Sequence, residues 1–239
     1  MKKICLAVAV VGSLVGCAGD PATNEVGITY RTVGDSLVEG TFVTAYGSVE
    51  FKSEVVADGV VDITFDRGRG AFGSHVDWTT LTNDLVYPAG YAITDDDRFL
   101  LKALSTAIEN DLGNTMPAAD NLIRQTNVWG HHPAGPVTTT QIVADAERGW
   151  IKLCGVSAYT FSHDASSHGQ QSEYLACGKT EKSNPCRDRC GPGCTAAWGS
   201  SAWTRDCGNH DRCEQQHASS SCADEFGSAS DDFSFAPNC

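Results

Sequence analysis

Basic residues are scarce in this chain of 239 residues: 17 Lys and Arg stand against 30 Asp and Glu. A surface of that sign excludes nucleic acid as a partner and gives no electrostatic docking on anionic lipid, while remaining compatible with divalent cations. Internal repeats and low-complexity tracts are missing as well. The one long apolar run, Ile4 to Val15, is too short to cross a bilayer as a helix. No cysteine occurs between Ala18 and Leu153, and no tyrosine after Tyr174. Whatever disulfides exist are therefore confined to the C-terminal third.

What is present begins with an export signal: Met1-Lys2-Lys3 supplies positive charge, the apolar run follows, and Leu14-Val15-Gly16-Cys17 closes it with small residues. The L-V-G-C stretch resembles the lipobox of bacterial lipoproteins. That resemblance implies lipidation of Cys17, a membrane anchored through it, and, with Ala18 behind the cysteine, passage to the outer membrane. The alternative is a plain signal peptide. Without Lys2 and Lys3, 15 basic residues face 30 acidic ones, a formal charge of −15.

The reading along the chain is α+β: a signal peptide over 1–16, a lipidated tether over 17–26, a β-rich domain with a helix over 27–180, and a small disulfide-rich helical module over 181–239. Val49 to Val55 alternates apolar with polar, Val60 to Phe65 follows, and Asp58-Gly59 between them predicts a β-hairpin with a type I′ turn. Thr94 with Asp95, Asp96 and Asp97 predicts a helix start. Phe99, Leu100, Leu101, Leu104, Ala107, Ile108 and Leu112 then recur at helical spacing as a core face until Gly113. Residues 113 to 148 are mixed, with a loop at Gly130-His131-His132-Pro133; adjacent histidines on extended chain point oppositely and do not share one metal. Trp150 to Cys154 and Tyr174 to Cys177 read as paired strands, stapled by a Cys154–Cys177 bond, around a polar loop holding His163 and His168. Composition shifts at Gly178 to Pro185, the expected boundary.

Nine cysteines remain after Cys5 and Cys17 are set apart, all from Cys154 onward, and in an exported protein they are expected to form disulfides. The odd number leaves one thiol over. From Cys186 the chain reads C-R-D-R-C-G-P-G-C, then D-C-G-N-H-D-R-C from Asp206 to Cys213, then C-A-D-E-F from Cys222. A glycine-rich loop exposes main-chain carbonyls that suit calcium, and one carboxylate adds charge. Neighbouring helical residues project about 100° apart, so His210 can face a substrate while Asp211 turns to the loop. A neutral imidazole can take a proton from water, and a cation can stabilise an ester oxyanion.

This segment resembles the secreted phospholipases A₂, in particular their short, cysteine-poor relatives. By that resemblance His210 is the general base and Asp211 the calcium aspartate. Arg189, Gly191 and Gly193 turn their carbonyls to the Ca²⁺, Cys190 bonds Cys207, and Cys213 bonds Cys222. The implied activity is calcium-dependent hydrolysis of the sn-2 acyl ester of phospholipid. One departure stands out. The family's orienting aspartate directly follows the cysteine of the second helix, where this chain has Ala223; Asp224, one residue later, is the expected partner of His210, with Asp231 two turns further on. Two rivals stay open. Cys207-x-x-His210-x-x-Cys213 offers zinc ligands at helical spacing, and His210-Asp211 can be a solvated pair in a silent, lipid-anchored binding protein that keeps the phospholipase-like frame.

Overall fold

The computed structural model describes residues 27–144, 159–165, 169–175, 190–191 and 204–236. Six strands follow one another as a meander: β1 (Gly27–Val33), β2 (Leu37–Thr44), β3 (Gly47–Ala57), β4 (Val60–Asp66), β5 (Phe72–Asp77) and β6 (Thr82–Val86), each antiparallel to the one before. A short β7 (Ala92–Ile93) then leads into two helices, α1 (Asp95–Leu112) and α2 (Pro117–His131). Past them β8 (Gly135–Pro136) pairs with β7, and β9 (Gln141–Val143) pairs with β6 to complete a seven-stranded sheet. The protein is α+β, as expected.

The alternation read in β3 and β4 holds. Val49, Phe51, Val61, Ile63 and Phe65 all lie on the buried face, as a period of two requires. The turn between them differs from the expected type. Gly59 alone has a positive φ, 71°, whereas a type I′ turn needs one at both central residues. An extra residue in β3, where the register shifts between Val55 and Ala57, takes up the difference as a bulge.

Helix α1 starts at Thr94, whose side chain accepts from the Asp97 amide while Asp97 accepts from the Thr94 amide, a complete capping box. Gly113, at φ 66°, ends it. Leu100, Leu101, Leu104 and Ile108 are fully buried, but Phe99 is 49% exposed and stacks on Tyr46, outside the core face assigned to it. The largest correction concerns residues 117–131, a helix instead of mixed chain. Pro117 sits at its start, where a missing N–H costs nothing. It is buried on nearly all sides because it packs against α1 and against strands β2 to β5. Its polar residues pair inward: Gln125 accepts from Ser74 and Asn83, Asn127 donates to Ser105, and Asn121 accepts from Trp78. Gly130 lets the two helices approach, since a Cβ there would lie 2.9 Å from Cγ of Lys102.

Strands β10 (Tyr159–Ala165) and β11 (Gly169–Leu175) form a separate hairpin in which Tyr174 pairs with Thr160. The stretch expected as a polar loop thus contains a strand, whose alternation of Tyr159, Phe161, His163 and Ala165 is the overlooked signal. Trp150–Cys154, Cys177, His168 and the boundary at Gly178 to Pro185 lie outside the described residues, as do Cys17 and its tether.

Two further helices close the chain: α3 (Arg205–Gln216), capped by Thr204, and α4 (Ala223–Phe235), separated by a 3₁₀ turn at Ser219–Ser221. Phe226, Ala229, Phe233 and Phe235 of α4 join the same apolar core as the sheet, α1 and α2. Each phenylalanine so buried contributes roughly 1.5–3 kcal/mol. Packing is therefore continuous across the division placed after residue 180. Among the described residues no helix is long and apolar enough to cross a membrane.

Candidate functional site

Cys190 bonds Cys207 and Cys213 bonds Cys222, the two pairings that the resemblance implies. The first ties Gly191 to the opening turn of α3; the second ties the end of α3 to the start of α4. With their sulfurs committed to disulfides, Cys207 and Cys213 are not zinc ligands, and the zinc site drawn from their spacing is overturned. Asp211 lies four residues after Cys207, on the same ridge of α3, and so near the tethered loop. Arg189 and Gly193 lie outside the described residues.

His210 is fully buried, and its ring meets three others. Phe233 and His131 stand edge-on at centroid distances of 5.6 and 5.0 Å, and Phe226 lies at 6.2 Å. Among the described residues neither ring nitrogen has a partner at full hydrogen-bond geometry. Two carboxylates come close: Asp211 Oδ1 is 3.9 Å from Nδ1, and Glu214 Oε1 is 3.8 Å from Nε2. Burial lowers the His210 pKa, and Lys102 and Arg98 push the same way, against the opposing pull of Asp211. The imidazole is thus neutral at pH 7.

Glu214 is the hub of this site. It accepts from Arg98, and from Lys102 at 2.7 Å, both on α1. His131 Nδ1, at the end of α2, is 3.3 Å from its Oε2. Sequence reading placed His131 in a loop and left Glu214 unassigned. The helical spacing of residues 117–131 could have moved the histidine onto a helix, but nothing local marks Glu214, because its cationic partners come from more than a hundred residues earlier.

Asp224, the expected partner of His210, is exposed in the first turn of α4. Among the described residues the carboxylates within 4.0 Å of the His210 nitrogens are Asp211 and Glu214. The cause is the one-residue offset after Cys222. It rotates Asp224 about 100°, and α4 turns Phe226 and Phe233 toward the histidine instead.

The donor set decides which ion fits where. One ligand atom each from His131, His210 and Asp211 lies within 4.8 Å of the others. Two nitrogens suit zinc better than calcium, yet the Arg98 cation bears on that cluster, and so does Lys102, whose own pKa burial and Arg98 push down to about 7. Calcium requires oxygen. Asp211 and the carbonyl of Gly191, held to α3 by the Cys190–Cys207 bond, meet that requirement in type. A groove of about 710 Å³ runs over β1 to β4 between Thr29, Glu39, Lys52 and Thr64, and includes none of the residues at His210.

No protein-family profile matches the chain, and neither the curated proteins nor the solved structures contain a match to it.

Proposed function

We propose that this protein is a calcium-dependent esterase of the cell envelope, anchored through a lipid on Cys17, that hydrolyses the sn-2 acyl ester of glycerophospholipids. The observation that carries the reading is the pair of disulfides around α3. Loop, His-Asp helix and following helix are joined at the cysteines that the phospholipase A₂ resemblance requires. Calcium, held by Asp211 with the carbonyls of Arg189, Gly191 and Gly193, would supply positive charge at the ester oxygen. His210, neutral in its buried site, takes a proton from the attacking water and returns it to the departing glyceryl oxygen. Phe226 and Phe233 exclude bulk water from the imidazole. Lys102 and Arg98 bear on Glu214 and not on the substrate.

A second reading has its own observation. His210 is fully buried and, among the described residues, without a well-formed hydrogen bond, and the expected orienting aspartate is exposed, as in a frame kept for binding alone. Fatty-acid release from mixed phospholipid micelles by the mature protein separates the two. Release in calcium, abolished by chelator and by His210→Ala, supports the esterase. Absence of release from a folded protein that still binds calcium supports the silent lipoprotein.

A further inference from the structure

We infer that Glu214 is the carboxylate that orients His210, replacing from the same helix the aspartate that α4 does not provide. The inference rests on the esterase reading for its catalytic meaning, but its geometry stands apart from it. Position 223 is alanine, and Asp224 is exposed. Glu214 lies four residues after His210, the spacing at which helical side chains meet, and its Oε1 is 3.8 Å from Nε2. A small rotation of either side chain brings that separation into hydrogen-bond range. The glutamate cannot swing to solvent, because Arg98 and Lys102 hold it from α1 and its side chain is only 16% exposed.

The two nitrogens of His210 are thereby distinguished. With Nε2–H donating to Glu214, the lone pair is left on Nδ1. Nδ1 is the nitrogen on the Asp211 side, where the esterase reading puts the ion and the ester. During turnover the water proton passes to Nδ1, the imidazolium keeps Nε2–H on Glu214, and the Nδ1 proton leaves with the glyceryl oxygen. Glu214 stays ionised throughout. It acts through His210 and is a positioning residue. The arrangement also gives the β-rich region a part in the chemistry, since the cations that fix Glu214 belong to it.

The test compares wild type, Glu214→Gln and Asp224→Ala as full mature chains. The glutamine variant offers one amide oxygen where Arg98 and the His210 Nε2 side share Oε1 and Lys102 takes Oε2, and it removes the negative charge that favours the Nε2–H form. Nitrogen-15 NMR of the histidine ring in calcium-free buffer should show the Nε2–H form of His210 in wild type and in Asp224→Ala, and loss of that preference in Glu214→Gln. On micelles in calcium, Glu214→Gln should lower kcat by on the order of 10²- to 10⁴-fold, the range set by a positioned base and its tautomer, with KM within about threefold. A wild-type His210 in the Nδ1–H form overturns the inference without any variant, should Glu214→Gln fail to fold. An unchanged tautomer or an unchanged kcat in Glu214→Gln overturns it as well, as does a loss confined to Asp224→Ala. A wild type that releases no fatty acid defeats the esterase reading instead, and the tautomer comparison still decides the Glu214 pairing.

Discussion

Acidification between pH 7.5 and 5.5 should weaken this fold through His131. The ring ends α2 with its side chain 15% exposed and its Nδ1 without a hydrogen bond. Burial lowers its pKa well below 6.5, and Lys102, His210 and Arg98 lower it further. Glu214 at 3.3 Å opposes them, but its charge is already shared between Arg98 and Lys102. Asp211, with a carboxylate oxygen within 4.8 Å of a His131 ring nitrogen, opposes them too, but less than burial and the cations push the other way. In the unfolded chain His131 takes a proton near 6.5, which the folded state refuses. The unfolded state therefore binds more protons below that pH, and the stabilisation present above it is lost as pH falls toward the folded value. For one histidine that stays neutral throughout, the loss between pH 7.5 and 5.5 is about 1.4 kcal/mol. His210 and His132, also lowered by burial, add losses of the same sign. Carboxylates act elsewhere: burial raises Asp97, but bonds from Thr94, Arg69 and Arg67 outweigh it and hold the group below 3.8, so its contribution disappears at lower pH. Urea unfolding at the two pH values, with disulfides intact and calcium chelated, reads the difference. His131→Phe, which keeps a ring to stack on Phe233, should lose about 1.4 kcal/mol less than wild type. A wild type equally stable at both values, or a variant as acid-sensitive as wild type, refutes the reasoning.

Replacing both members of a disulfide by serine should cost about 2.6 kcal/mol for Cys213–Cys222 and about 3.1 kcal/mol for Cys190–Cys207, from loops of 9 and 17 residues, measured by denaturant midpoint. A cost below about 1 kcal/mol for either would mean that the oxidised chain gains nothing from closing that loop. Thr94→Ala removes the side chain of the α1 capping box and should destabilise by about 1 kcal/mol in the same assay. Phe233→Ala empties a fully buried position beside His210 and His131. It should cost about 3–5 kcal/mol and make the His210 ring signal sensitive to solvent.

Much of the fold was readable because its pattern is local. The β3–β4 hairpin shows itself by strict alternation and a glycine at the turn, and α1 by a capping residue, first-turn acids and a leucine stripe. Helix α2 hid because the sheet and α1 enclose it. A helix buried on nearly all sides shows no polar face, and its Asn121, Gln125 and Asn127 look like surface residues until Trp78, Ser74, Asn83 and Ser105 are seen to pair with them. The disulfides around α3 were legible from a resemblance that fixes several spacings together. Glu214 was not, because a glutamate directly after the motif acquires meaning only when Arg98 and Lys102 reach it across the packed helices.

That long reach bears on what the β-rich region is for. Helix α4 buries Phe226, Phe233 and Phe235 against α2 and the sheet, and Phe235 meets Trp78 edge-on at 5.4 Å. Arg124 of α2 donates to the Ala236 carbonyl at 2.9 Å, placing a cation where the dipole of α4 ends, and Asn83 of β6 donates to Ser234. A cysteine-rich segment of this size cut from the chain would expose three aromatic rings and strand the buried Glu214 without its cations, a cost that two disulfides of about 3 kcal/mol each do not offset. The sheet is thus a template for the helices at His210. Arg98 and Lys102 hold Glu214 from α1, and His131 of α2 stands edge-on to His210, so a substitution at Gly130 that separates α1 from α2 should disturb the histidine without touching α3.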